Sequence, residues 1–231
     1  MSVTRISTFV GDLPLTAGSG SFFEAGHRLF LITSRHVFID EGANHLPDRI
    51  EFVVHTDATN LTQWRSVSLP LYTRGRAAWR QARDSGGEID VAALELPWSA
   101  MPAAATIACF GHESLPDDLG SAQVGTPLLL VGFPLGFYDT VHHLPVVRQA
   151  VIASAFGVRF QGQGFFLTDA RMHRGASGAP VVLRRDGAAF PWSLLGVHSS
   201  RLDMKNRDQE HDETLGLNCA WYADIIKTLI E

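Results

Sequence analysis

Short apolar runs separated by glycine, proline, asparagine and aspartate dominate this chain. "GSFFEA", "RLFLITS", "RIEFVVH", "DVAALEL", "TPLLLVGF", "RQAVIAS", "GFFLTDA", "APVVLR" and "SLLGVHS" each span strand length and either alternate or run continuously apolar. Repeated runs of that length with turn residues between them predict an all-β barrel or sandwich rather than a helical fold. Hairpin turns are expected at "EAGHR", "QGQG" and "RRDGAA". The stretch from Pro97 to Gly125 is rich in Pro, Ala, Gly and Ser and reads as a crossover between two β-lobes, residues 1–110 and 111–231. At the end of the chain, "NCAWYADIIKTLIE" sets Trp221, Ile225 and Leu229 at helical spacing, which predicts one closing amphipathic helix.

Composition narrows the partners. The chain has 231 residues, 45% of them hydrophobic, enough to bury a sizeable core as one large domain or two small lobes. A net charge of -5 without long blocks of like charge argues against a nucleic-acid backbone as partner. Neither the N-terminal "MSVTRISTFVGDLPLTAG" nor the longest apolar run, "PLLLVGFPLGF", has the pattern of a secretory signal or a membrane span. With only two cysteines, Cys109 and Cys219, the expectation is a cytoplasmic protein with reduced thiols and no membrane partner. The histidines, His142 and His143 included, lack zinc-motif spacing, so neither a metal nor another cofactor is expected.

Three polar residues adjoin predicted strands. His36 follows "LFLITSR", Asp90 precedes "VAALEL", and Ser177 sits in "GASGAP" between Gly175 and Gly178. Each alone has an ordinary account: a core histidine, a residue at a strand start, a turn of small residues. Together they carry the parts of an acyl-transfer site. A serine hydroxyl becomes a nucleophile when an imidazole takes its proton, and a carboxylate holds that imidazole in the right tautomer. The backbone N–H groups of Gly175 and Ser177 could then receive the oxyanion. The order His, Asp, Ser along the chain is one of the three known for such trios.

With "GSGSFF", "LFLITSRHVF", "IDVAALEL", "VGFPLG", "LTDARMHRGASGAPVV" and "LLGVHSS", the chain resembles bacterial trypsin-like serine peptidases of the chymotrypsin fold, related to the HtrA-type catalytic domain. The resemblance runs from about Gly18 to the C-terminal helix. It implies two six-stranded antiparallel β-barrels with a C-terminal α-helix, His36 and Asp90 coming from the first lobe and Ser177 from the second. It also implies a serine endopeptidase acting on a protein or peptide substrate. In many secreted members an aspartate precedes the serine and pairs with a newly cleaved N-terminus; here that position is Ala176. No second domain, such as a PDZ module, is expected after the catalytic one.

The same resemblance puts Arg171, His173, His198, Ser199, Ser200 and Arg201 around the substrate. Ser199 to Arg201 would offer backbone groups to an extended peptide. Arg171 stands where a Lys- or Arg-specific enzyme needs an acid. His198 stands where glutamyl and picornaviral-type proteases carry a histidine that reads Glu or Gln, although those families place Thr or Ser where this chain has Met172. Specificity is therefore expected to avoid Lys and Arg and to favour Glu or Gln. The polar stretch Arg201 to Thr214 reads as a solvated loop near the cleft. Three alternatives stay open: a binding module that kept the fold without activity, a non-peptide acyl hydrolase, and a latent protease switched on by an intracellular partner. The oligomeric state has no signature in the sequence.

Overall fold

The computed structural model describes residues 1–118, 122–185, 187, 190–202 and 215–231. Nine strands precede the crossover: β1 Val3–Val10, β2 Leu13–Ala25, β3 Arg28–Thr33, β4 Arg49–His55, β5 Trp64–Pro70, β6 Tyr72–Thr73, β7 Arg76–Ala77, β8 Trp79–Asp84 and β9 Gly87–Leu96. A single helical turn, α1 Arg35–Phe38, follows β3. After the crossover come β10 Pro127–Gly132, β11 Val146–Val151, β12 Phe165–Thr168, β13 Pro180–Arg184, β14 Trp192–Arg201, β15 Asn218–Tyr222 and a short helix, α2 Ile225–Ile230.

Two large antiparallel sheets result, with β6 and β7 forming a separate two-stranded one. The first has seven strands in the order β5-β4-β1-β2-β3-β9-β8, one more than expected, and the second has six in the order β11-β10-β13-β14-β15-β12. Both curl. In the first sheet Ala78 N–H donates to Leu71 O across 2.9 Å, tying the start of β8 to the end of β5. In the second, an isolated bridge between Ile152 and Thr168 brings the end of β11 to β12. The mostly-β architecture is thus the kind that the strand pattern predicts. Among the described residues no helix is long and apolar enough to cross a membrane.

Period-two alternation explains why β3 and β9 look continuously apolar. Leu29 and Leu31 of β3, with Ala92, Leu94 and Leu96 of β9, join Phe22, Ile50 and Phe52 in the core of the first sheet. The alternate residues Phe30 and Ile32, with Ile89, Val91 and Ala93, face the other way and pack with Leu194, Trp221 and Ile226 between the two large sheets. A third cluster, including Leu128, Leu130, Phe166, Val181 and Leu195, fills the second sheet. The strands that carry the candidate residues are therefore buried on both faces, and this makes them rigid supports.

The closing helix is shorter than its periodicity predicts. Asn218–Tyr222 forms a strand, β15, with all five residues buried, and only Ile225–Ile230 is helical. A continuous apolar run satisfies both periods, and pairing with β12 on one side and β14 on the other decides for the strand. The "RRDGAA" turn lies in part, and the Arg201 to Thr214 loop in most of its length, outside the described residues. Among the described residues Cys109 and Cys219 are free, and burial pushes both thiols up to about 11.

Candidate active site

His36 is placed by the abrupt end of β3. Ser34 precedes the one-turn helix, and its hydroxyl donates to His198 O across 3.0 Å, tying this corner beside the first sheet to β14 of the second. Asp90 in β9 then grips His36 twice. One carboxylate oxygen accepts the His36 backbone N–H at 2.9 Å, and the other faces Nδ1 at 2.7 Å. Since an ionised carboxylate can only accept, Nδ1 carries the hydrogen and the lone pair is left on Nε2. A third hydrogen bond, 2.5 Å long, reaches Asp90 from the Ser199 hydroxyl.

The electrostatics match this geometry. Burial works against ionising Asp90, yet the hydrogen bond and charge of His36, together with the Ser199 and backbone donors, hold its carboxyl below the ordinary value of 3.8. For His36, burial also opposes the charge, but the hydrogen bond and charge of Asp90 and the charge of Asp40 outweigh it and raise the pKa above 6.5. The imidazole is half-buried, with 34% of its side chain exposed, so it is accessible to a reactant.

Ser177 enters this network through Ser199. Its hydroxyl donates to Ser199 O at 3.2 Å, while the same residue's hydroxyl holds Asp90. The four residues form the connected series Ser177, Ser199, Asp90, His36, with the first link made to the Ser199 main-chain carbonyl and the others through side chains. No hydrogen bond joins Ser177 to His36 in this rotamer.

The turn before Ser177 presents two unused donors. Gly175 has φ +88° and Gly178 φ +87°, a left-handed conformation natural to glycine. A Cβ on Gly175 would lie 2.6 Å from Phe133 O, and one on Gly178 only 2.1 Å from Ser19 O. The carbonyls around the turn are all engaged. Arg174 O accepts from Leu135 N–H at 2.5 Å, Gly175 O from the Ser19 hydroxyl at 2.8 Å, Ala176 O from Ala179 N–H at 2.9 Å, and Ser177 O from Ser19 N–H at 2.8 Å. A trans peptide points its N–H opposite to its carbonyl, so anchoring these oxygens also fixes where the amides point. Among the described residues, the N–H groups of Gly175 and Ser177 have no acceptor. Two free amides flanking a serine hydroxyl can bind a developing oxyanion.

A search with protein-family models matches residues 18–190 to the trypsin-like peptidase domain. The chain belongs to that family. Among solved structures it is similar to a serine endoprotease from Yersinia pestis, with 16% identity and a TM-score of 0.57 over 99% of this chain and 61% of that one. It is also similar to a variant of the HtrA-type protease AlgW with a tripeptide, at 16% identity and TM-score 0.59, covering 99% of this chain and 58% of that one. A third is a serine-to-alanine mutant of a protein from M. tuberculosis H37Rv in its inactive form, at 16% identity and TM-score 0.56, covering 99% of this chain and 84% of that one. This trypsin-like domain thus spans about 60% of the length of the first two. The search of curated proteins returned no match.

The remaining candidates in this trypsin-like domain divide by burial. Arg171, His173, Ser200 and Arg201 are exposed. His198 is buried at 2% exposure, and among the described residues its Nδ1 has no hydrogen-bond partner. Burial above all, then the charge of His36, lowers its pKa to about 4 against the opposing pull of Asp90, so its ring is neutral at pH 7. Its backbone is fully used, with Gly178 N–H donating to its carbonyl and its own N–H donating to Ala179 O, both at 2.8 Å. Ser199 is buried too, and it offers Asp90 a hydroxyl as well as a backbone. That side-chain role was not read from the sequence, and neither were Ser19, Phe133 and Leu135 around the turn. "GSGSFF" and "VGFPLG" hold these residues, but nothing local in either run says which turn it will meet.

Proposed function

We propose that this trypsin-like peptidase domain is an active serine endopeptidase. Ser177 attacks the substrate carbonyl. His36 accepts the hydroxyl proton at Nε2 and returns it to the leaving amine, releasing the first product and leaving an acyl-enzyme. Water, activated by the same imidazole, then hydrolyses that ester. Asp90 keeps the proton on Nδ1 and stabilises the imidazolium, while Gly175 and Ser177 N–H bind the oxyanion. For this to occur, the Ser177 hydroxyl must rotate from Ser199 O towards His36. The observation that carries the reading is the connected series from Ser177 to His36 beside two amides without acceptors.

Substrate would be bound as an added strand. Pairing of β13 with β14 ends at Pro180 with Val197, after which Gly178 and Ala179 hold His198. Ser200 and Arg201 lie beyond that point, where an extended peptide could continue the ladder. Arg171 and Arg174, in the segment leading to Ser177, and Arg201, at the end of β14, are exposed and form no salt bridge among the described residues, which supports an acidic or amide side chain before the scissile bond rather than Lys or Arg. Neutral His198 would contribute a hydrogen bond and no charge.

Labelling of the purified protein by a fluorophosphonate probe tests the reading. Wild type should label and Ser177→Ala should not; an unlabelled wild type at pH 8 would overturn it. A peptide-library profile dominated by cleavage after Lys or Arg would overturn the specificity.

A further inference from the structure

We infer that Ser19 is a positioning residue that sets the oxyanion-binding turn of the second lobe from within the first lobe. The inference rests on the endopeptidase reading above and assigns a role to a side chain outside the trio. Ser19 is fully buried in β2. Its hydroxyl has one proton, which it donates to Gly175 O at 2.8 Å, and it accepts Phe133 N–H at 3.0 Å. Its backbone N–H donates to Ser177 O at 2.8 Å. One residue therefore holds the turn on both sides of Ala176, and also holds the end of β10 that leads into Leu135.

Leu135 completes the clamp. It sits at φ +54°, a strained conformation for leucine, and from there its N–H reaches Arg174 O. Both peptide planes flanking Gly175 are thus fixed through their carbonyls, one by Leu135 and the other by Ser19. The free Gly175 N–H has little room to swing, because the backbone of Phe133 closes on the Cα of Gly175. Ala176, fully buried and apolar, has no charge with which to anchor the turn itself. In this chain a neutral hydroxyl does what an ion pair at that position could do elsewhere.

Removing the hydroxyl orphans a buried N–H and a part-buried C=O and loosens the Gly175–Ala176 peptide, which joins the two donor-bearing peptides and then keeps only the 3.2 Å bond from Ala176 N–H to His173 O. A displaced donor weakens the transition state and leaves ground-state binding nearly untouched. Ser19→Ala should therefore lower kcat on a peptide substrate by roughly 10- to 100-fold with KM within about twofold. Affinity for a peptide boronic acid, which mimics the tetrahedral state, should fall by a similar factor. Ser19→Cys, nearly the same size but a weaker donor, should fall between wild type and alanine, and keeps the test open if alanine fails to fold.

Thr8→Ala is the control. Thr8 is equally buried in β1, and its hydroxyl likewise donates and accepts, both with Thr16 at 3.2 Å. It should lose melting temperature comparably and keep kcat. Wild-type kcat in Ser19→Ala, or equal losses of kcat in Ser19→Ala and Thr8→Ala, would overturn the inference. If the wild type proves unlabelled by fluorophosphonate, the enzymatic reading fails separately. Amide hydrogen exchange then decides the positioning alone: faster exchange of the 172–179 segment in Ser19→Ala, and not in Thr8→Ala, supports it, and unchanged exchange overturns it.

Discussion

His198 makes the stability of this domain depend on pH in a way that can be isolated. The folded protein keeps the ring neutral until about pH 4, whereas an unfolded chain protonates it near 6.5. Between those values the unfolded state binds more protons, so stability falls as the solution is acidified. At about 1.4 kcal/mol for each tenfold change, the loss from this residue is about 2 kcal/mol by pH 5 and about 3 kcal/mol by pH 4. His36 works in the opposite direction. Its folded pKa lies above 6.5, so its contribution is present below 6.5 and is lost as pH rises through the folded value. Asp90, held below 3.8, loses its contribution only as pH falls through its own lower value. Total stability therefore mixes the three, but a difference between variants does not. His198→Leu removes the titration and also the unpartnered Nδ1, whose burial costs about 1–3 kcal/mol, so the variant should be as stable as wild type or more so at pH 7. Urea unfolding of both proteins at pH 7 and pH 5 should show the advantage of leucine growing by about 2 kcal/mol on acidification. A difference that does not change with pH would mean that the ring is hydrated or paired in solution, and would refute the argument.

Two further outcomes follow from the same geometry. The acid limb of kcat/KM should have its midpoint above 6.5, because the imidazole must be neutral to accept the serine proton; in Asp90→Asn the rate should drop by about 10⁴-fold and the midpoint should move below 6.5, read from a pH–rate profile. Gly178→Ala would put a Cβ 2.1 Å from Ser19 O at φ +87°, so it should destabilise by roughly 3 kcal/mol or more, measured by chemical denaturation, and a neutral effect would contradict the packing described.

The strand pattern carried most of the fold because β3, β9 and β13 are buried on both faces, and a continuous run bounded by turn residues is how such strands look in sequence. Strands of mixed polarity were harder. Trp64–Pro70 and Trp79–Asp84 lie toward the edges of the first sheet, expose much of their surface, and show little hydrophobic period to recognise. β15 misled for the opposite reason, since a run buried on all sides satisfies a helix and a strand alike. Of the site, His36, Asp90 and Ser177 stood out because each is a chemically active residue directly beside a strand. Ser19 did not, and Ser199 did so only for its backbone, because a serine in a strand says nothing by itself about whether its hydroxyl will face a carboxylate or a turn 156 residues away.

The hydroxyls that sequence reasoning passed over all cross the boundary between the sheets. Ser34, just after β3, holds His198 O, Ser19 in β2 holds Gly175 O, and Ser199 in β14 holds Asp90. Each links a backbone or carboxylate oxygen on the side of one sheet to a donor on the side of the other, over a shared apolar core built from Phe23, Phe30, Ile32, Leu194 and Trp221. Apolar packing brings the sheets together without a strong directional preference. Short hydrogen bonds add the register that packing lacks, since a shift of about 1 Å would break all three, and a misplacement of that size is enough to lose about 100-fold in rate at a reacting centre. The polar contacts of this interface therefore matter less for how firmly the two sheets adhere than for the position at which they stop.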